Sequence, residues 1–166
     1  MNPTKPQLVE AITDEQYDIG AELFKKYAQD IRVDLSFQNF DQEILEIKTQ
    51  YSRPDGILII VQQHAYLPLG SFGIRKLTDE ICELKRMYIT KEARGKGLGN
   101  IMMIHALQLG QELNYPKMRL DTLPTMSAAI TLYEKHGFYE IEAYRYNPIE
   151  GTKYFEIDLN DRHQNL

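Results

Sequence analysis

Glu83-Leu84-Lys85-Arg86-Met87-Tyr88-Ile89-Thr90-Lys91-Glu92-Ala93-Arg94-Gly95-Lys96-Gly97-Leu98-Gly99-Asn100 is the stretch whose reading decides the fold. It reads as a strand, a short basic glycine-rich loop and the start of a helix. Gly95, Gly97 and Gly99 let the backbone come close to a ligand and turn its N–H groups towards it. A helix N-terminus adds unpaired N–H donors and a partial positive charge. Arg94 and Lys96 add full charges. Such a loop is built to hold a pyrophosphate. Taken alone, it also reads as a glycine-rich turn that binds nothing. Two familiar phosphate loops are excluded. The P-loop places four residues between its glycines and continues Gly-Lys-Ser/Thr. The dinucleotide fingerprint requires Gly-x-Gly-x-x-Gly, and Gly95-x-Gly97-x-Gly99 has another spacing.

The chain on either side divides into two halves. Upstream, Leu8 to Ile12 reads as a short strand. Thr13 or Asp14 caps a helix to about Gln29 with Ile19, Leu23 and Tyr27 on one face. Leu35 to Lys48 is a second helical stretch with Phe37, Phe40, Ile44 and Ile47 on its apolar side. The period then changes. Gly56 to Val61 is a β-branched run after the turn Pro54-Asp55-Gly56, apolar on both faces. A turn near Leu67-Pro68-Leu69 leads to strands at Gly70 to Leu77 and Glu80 to Ile89, which form an antiparallel meander with it. Downstream, a helix from Gly97 to Leu113 precedes a strand at Lys117 to Asp121. A helix from Met126 to His136 ends at Gly137 as its C′ residue. Strands at Phe138 to Tyr146 and Tyr154 to Leu159 close the chain. The pattern predicts an α/β fold with a mixed sheet, one domain over residues 1–166.

Two motifs carry a family resemblance. Arg94-Gly95-Lys96-Gly97-Leu98-Gly99 resembles the Arg/Gln-x-x-Gly-x-Gly/Ala signature of the GNAT superfamily of N-acetyltransferases. Ala129-Ile130-Thr131-Leu132-Tyr133-Glu134-Lys135-His136-Gly137-Phe138 resembles its Ala-x-x-Leu-Tyr-x-x-x-Gly-Phe signature, in the family's order. The resemblance implies the GNAT acyl-CoA N-acyltransferase fold and acetyl-CoA as co-substrate. It implies that backbone amides of Arg94, Gly95, Lys96, Gly97, Leu98, Gly99 and Asn100 hold the pyrophosphate. Met87, Tyr88 and Ile89 would pair with the pantetheine arm in a gap beside Lys117 to Asp121, the Met87 N–H facing the thioester carbonyl. Many members carry Asn three residues before the helix alanine, where this chain has Met126.

Acetyl transfer by direct attack needs an uncharged amine and a leaving thiolate, so it calls for a base and an acid. Glu83, four residues before Met87, is the candidate base; the other reading is a strand glutamate ion-paired with Arg86 or Lys85. Tyr133 is the candidate acid, its phenol ordinarily near ~10; a core tyrosine is the other reading. Tyr144, Arg145 and Tyr146 on the late strand are candidates for the acceptor cleft. Cys82, the only cysteine, cannot form an internal disulfide and has no histidine beside it to make a nucleophile. The four histidines show no ligand spacing, so no metal is expected.

The bulk composition limits the partners. A net charge of −5 argues against nucleic acid. The N-terminus lacks the apolar run of a signal peptide and no stretch is long enough for a membrane span, so a cytoplasmic location is expected. The expected function is transfer of an acetyl group to a small-molecule or peptide amine. A non-catalytic acyl-CoA sensor on the same fold is the alternative, and the sequence is compatible with a homodimer.

Overall fold

The computed structural model describes residues 5–64 and 67–160. Among the described residues, seven strands form one sheet in the order β1-β2-β3-β4-β5-β7-β6. They are β1 Gln7–Glu10, β2 Ile57–Gln63, β3 Leu67–Lys76, β4 Ile81–Ile89, β5 Lys117–Thr122, β6 Tyr139–Ile141 and β7 Lys153–Asp158. Only β4 and β5 run parallel; every other neighbouring pair is antiparallel. The helices are α1 Asp14–Ile31, α2 Phe40–Leu45, α3 Ile47–Gln50, α4 Leu98–Glu112 and α5 Ser127–Lys135. Among the described residues no helix is long and apolar enough to cross a membrane.

Local chemistry accounts for the element ends. Thr13 starts α1 through a capping box: its hydroxyl accepts from the Gln16 N–H, and the Gln16 side chain accepts from the Thr13 N–H. Gly137 ends α5 at φ 95°. Its N–H donates to Glu134 O and the Phe138 N–H to Tyr133 O, a Schellman pair that satisfies two end carbonyls. Three expectations change. The helical stretch from Leu35 to Lys48 is broken into a 3-10 turn at Ser36–Gln38, then α2 and α3, because Asn39 takes the left-handed conformation at φ 55°. The strand β3 begins at Leu67, where a turn was expected. There Val61 pairs with Gly70 and Gln62 with Pro68, so Leu69 is the extra residue of a bulge that accommodates the proline. The strand expected over Phe138 to Tyr146 is only β6, since Tyr144 and Arg145 turn back onto Glu83.

Two cores sandwich the sheet. Ile57, Ile59 and Val61 of β2 face α4, whose Met102, Met103 and Ala106 are fully buried against Phe72, Met118 and Phe155. Leu58 and Ile60 face the opposite way, against Leu23 and Phe24 of α1 and Tyr51. The unbroken apolar run of β2 is the consequence of cover on both faces.

The site is created where the sheet opens. β4 and β5 pair only at Ile81, Cys82 and Glu83 with Lys117, Met118 and Arg119. Beyond these three pairs β4 runs on to Ile89 and β5 to Thr122 without bonding each other. A bulge sits at the divergence. Ser71 pairs with Tyr88 and Gly73 with Lys85, so Arg86 and Met87 oppose one residue of β3. Arg86 lies at φ 56°, which turns the strand end away. The Arg86 guanidinium is anchored at 2.7 Å to Glu43 of α2, both side chains almost fully buried. Phe40 lies beneath it, its ring centroid 5.1 Å away.

Candidate active site

The gap between the strand ends is a cavity of about 650 Å³. Met87, Tyr88 and Ile89 of β4 form one wall, and Met126 to Ala129, Leu132 and Tyr133 of the α5 region form the other. Tyr27, Asp30 and Ile31 of α1 close one end, with Arg94 and Gly99 at the mouth. The structure thus brings Met87, Tyr88, Ile89, Arg94, Gly99 and Tyr133 to one place. Gly95, Lys96, Gly97 and Asn100 belong to the adjoining loop and helix start. The Leu98 side chain is buried in the core, which leaves its backbone for any ligand.

The loop is open in the sense a ligand requires. Gly95 and Gly97 both lie at φ 75°, and a Cβ on either would meet no protein atom within 4 Å. Gly97 caps α4 without a side-chain hydrogen bond. The N–H groups from Gly95 to Asn100 donate to no acceptor among the described residues. They are a cluster of free donors at a helix N-terminus. Lys96 is exposed and unpaired among the described residues. Arg94 is engaged otherwise than expected. Its guanidinium donates to Ile89 O and to Asp30 Oδ2, both at 3.0 Å. Tyr88 also donates to Asp30, at 2.9 Å. Arg94 therefore fastens the loop to the end of α1, and half its side chain remains in solvent. The Asn100 side chain is tied to His136 at 2.8 Å, leaving its backbone for the loop.

Tyr133 is buried, its ring packed edge-on against Phe138 at 5.9 Å between centroids. Its hydroxyl makes no hydrogen bond among the described residues, and the residue lines the cavity. Burial, and then the charges of Tyr27 and Asp121, push its pKa above the ordinary 10.0. The phenol is thus protonated at neutral pH. It suits donating a hydrogen bond to a departing thiolate better than surrendering its proton outright.

Glu83 lies outside this cavity. Its carboxylate is fully buried on the α1–α2 face of the sheet. Arg75 donates to Oε1 from Nε at 3.1 Å and from its terminal nitrogen at 3.0 Å. Tyr144 donates to Oε2 at 2.7 Å, Arg145 forms a short ion pair with the same oxygen, and Lys85 stands 3.9 Å from Oε1. Burial alone would raise its pKa, but Lys85, Arg145 and Arg75 outweigh it and hold it at about 2. A carboxylate so placed is a poor base. Moving a proton to it from an alkylammonium near ~10 would cost roughly 11 kcal/mol. The expected pairing with Lys85 is present as a longer contact, while Arg86 bonds Glu43 instead. Cys82 is buried beneath α4, and desolvation pushes its thiol up to about 12, which makes it an inert core residue.

A second, narrower cavity of about 20 Å³ opens beside the first. Tyr27, Ile31 and Leu123 line both, and Gln38, Arg86, Asp121 and Asn147 line the second. Sequence reasoning left Asp121 as a strand end. Strand alternation was the available signal, since it sets Asp121 on the face of Arg119 and away from the core residues Met118 and Leu120.

Comparison with known proteins bears on the family and the fold. The model of the acetyltransferase (GNAT) family matches residues 19–138. The chain belongs to the GNAT family. An uncharacterized N-acetyltransferase of Schizosaccharomyces pombe is 30% identical over 161 residues, covering 96% of this chain and 99% of the relative. Among solved structures, a GNAT-family acetyltransferase of Staphylococcus aureus superposes with TM-score 0.76 at 17% identity, covering 93% of this chain and 99% of the other. The spermidine N-acetyltransferase of Vibrio cholerae, solved with CoA and spermine, gives TM-score 0.67 at 18% identity over 93% and 95%. This GNAT chain has the acyl-CoA N-acyltransferase fold, and its family supports acyltransferase activity in general.

Proposed function

We propose that the protein transfers the acetyl group of acetyl-CoA to a primary amine by direct attack. The observation that carries this reading is the opening of β4 from β5 after three residue pairs. It leaves a cavity with free N–H donors at one end and Tyr133 in its wall. The loop from Arg94 to Asn100 holds the pyrophosphate through its backbone, and the arm lies along Met87, Tyr88 and Ile89. The Vibrio relative solved with CoA supports acyl-CoA as the co-substrate.

In this reading the amine nitrogen attacks the thioester carbon, and the Met87 N–H stabilises the oxyanion. The N–C bond forms and the C–S bond breaks. One amine proton is lost and CoA leaves as thiolate, which takes up a proton to become the thiol. Tyr133 donates a hydrogen bond to sulfur as negative charge gathers there. Glu83 acts through structure: it holds Tyr144 and Arg145, the latter 4.0 Å from Asp121.

The test is acetyl-CoA consumption against a panel of primary amines, amino acids and peptides, read by free thiol release and product mass. Acetylated amine with stoichiometric CoA is expected. CoA binding with no turnover on any amine would overturn the transferase reading and favour an acyl-CoA sensor.

A further inference from the structure

Two buried side-chain oxygens lack a hydrogen-bond partner among the described residues: Ser71 Oγ and Asp121 Oδ2. Ser71 lines neither cavity. Asp121 lines the second, with nine-tenths of its side chain out of solvent. A buried carboxylate oxygen without a donor is costly, and one at a cavity wall is the kind of group a ligand completes. Its charged neighbours stand off. Lys85 Nζ is 3.8 Å from Oδ1 and Arg145 is 4.0 Å from Oδ2, both beyond hydrogen-bond length. They balance its charge without occupying its lone pairs.

Other polar groups of this cavity are engaged elsewhere. Arg86 is bonded to Glu43 and Gln38, and the Asn147 side chain accepts from the Ile149 N–H. Among the described residues, Asp121 Oδ2 is the fully buried side-chain oxygen of this cavity left without a donor. Its position is also the right one. It lies on β5 two residues past Arg119, the last to pair with β4, so it stands at the mouth of the opening. Tyr133 feels its charge, as does Tyr27, which lines both cavities. The neighbouring space admits one group of about the size of water, the size of an amine head.

We infer that Asp121 Oδ2 receives an N–H of the acceptor nitrogen and sets it at the junction of the two cavities, facing the thioester. This rests on the transferase reading above and names the group that binds its second substrate. The ligand class is a primary amine, which has N–H donors to give, in preference to a carboxylate, which has none.

The experiment compares the full chain with D121N and D121A, using the best amine of the panel. CoA affinity by calorimetry should stay within about twofold, while kcat/KM for the amine falls at least ~30-fold, chiefly through KM. Unchanged amine kinetics in folded, CoA-binding variants would overturn the assignment and mean that the cavity holds water only. So would a loss confined to CoA affinity. Failure of the unaltered protein to acetylate any amine would instead remove the transferase reading, and this assignment with it. Should both variants unfold, the carbon-13 resonance of the Asp121 carboxyl in the unaltered protein decides. It moves on amine addition if the assignment holds and stays fixed if it does not.

Discussion

Glu83→Gln separates a structural carboxylate from a catalytic one. The substitution keeps the shape and removes the charge that Arg75 and Arg145 surround. Holding the carboxyl at about 2, down from its ordinary 4.5, corresponds to about 3 kcal/mol of native-state stability. The folded pKa is depressed, so this stability is fully present above the unfolded value and is lost as pH falls through the folded one. At pH 7 the variant should therefore be less stable by about 3 kcal/mol, or more if its orphaned arginines stay buried. At pH 3 only about 1 kcal/mol of the difference should remain. Urea unfolding of both proteins at the two pH values measures this, with kcat and the pH–rate profile taken below the unfolding range. The expected result is a large stability gap at pH 7 that narrows with acid, with a pH–rate profile of unchanged shape. Equal urea midpoints together with a roughly 10²-fold loss of kcat and an altered profile would refute the argument and restore Glu83 as the base.

Tyr133→Phe should lower kcat and kcat/KM together by about 10- to 10³-fold, or about 1.4 to 4 kcal/mol, with CoA affinity and thermal midpoint nearly unchanged. The hydroxyl it removes has no partner to lose among the described residues. Gly97→Val should weaken CoA binding by calorimetry more than Arg94→Ala does. A side chain at φ 75° is strained and would stand among the free N–H groups, whereas the Arg94 guanidinium is already engaged by Asp30. CoA affinity should also fall with ionic strength, as exposed Lys96 is screened. Glu43→Ala should cost about 3–5 kcal/mol in urea unfolding, because it leaves Arg86 buried and unpaired at the bulge that opens the sheet.

The parts of the fold legible in the sequence are those governed by local pattern. The β-branched run of β2, the glycine loop into α4 and the Gly137 stop of α5 each carry their cause within a few residues. Glu83 shows the limit. Its strand was readable, but its partners lie 8, 61 and 62 residues away at Arg75, Tyr144 and Arg145, and only folding reveals that the carboxylate is spent. Tyr144 and Arg145 were read as acceptor-cleft candidates on a strand that ends before them, and their side chains bond Glu83. Asn39 broke a helix that apolar spacing alone predicts, since a single left-handed residue outweighs that spacing. For Asp121 strand alternation gives the face alone, because a missing partner is a property of the assembled sheet.

The separation of β4 from β5 gives this sheet two edges in its middle. From Leu84 onward β4 is bonded on the β3 side alone, and Leu120 to Thr122 are bonded on the β7 side alone. Exposed edges of this kind recruit stray extended chain, and proteins commonly guard them with charge, proline or cover. Here the guard is geometric: the edges diverge, one is bent by the Arg86 bulge, and a foreign strand cannot bond both at once. What can enter is a thin extended molecule that offers polar groups to one side. On the proposed reading, the divergence that makes room for a co-substrate also denies a foreign strand two edges to bond.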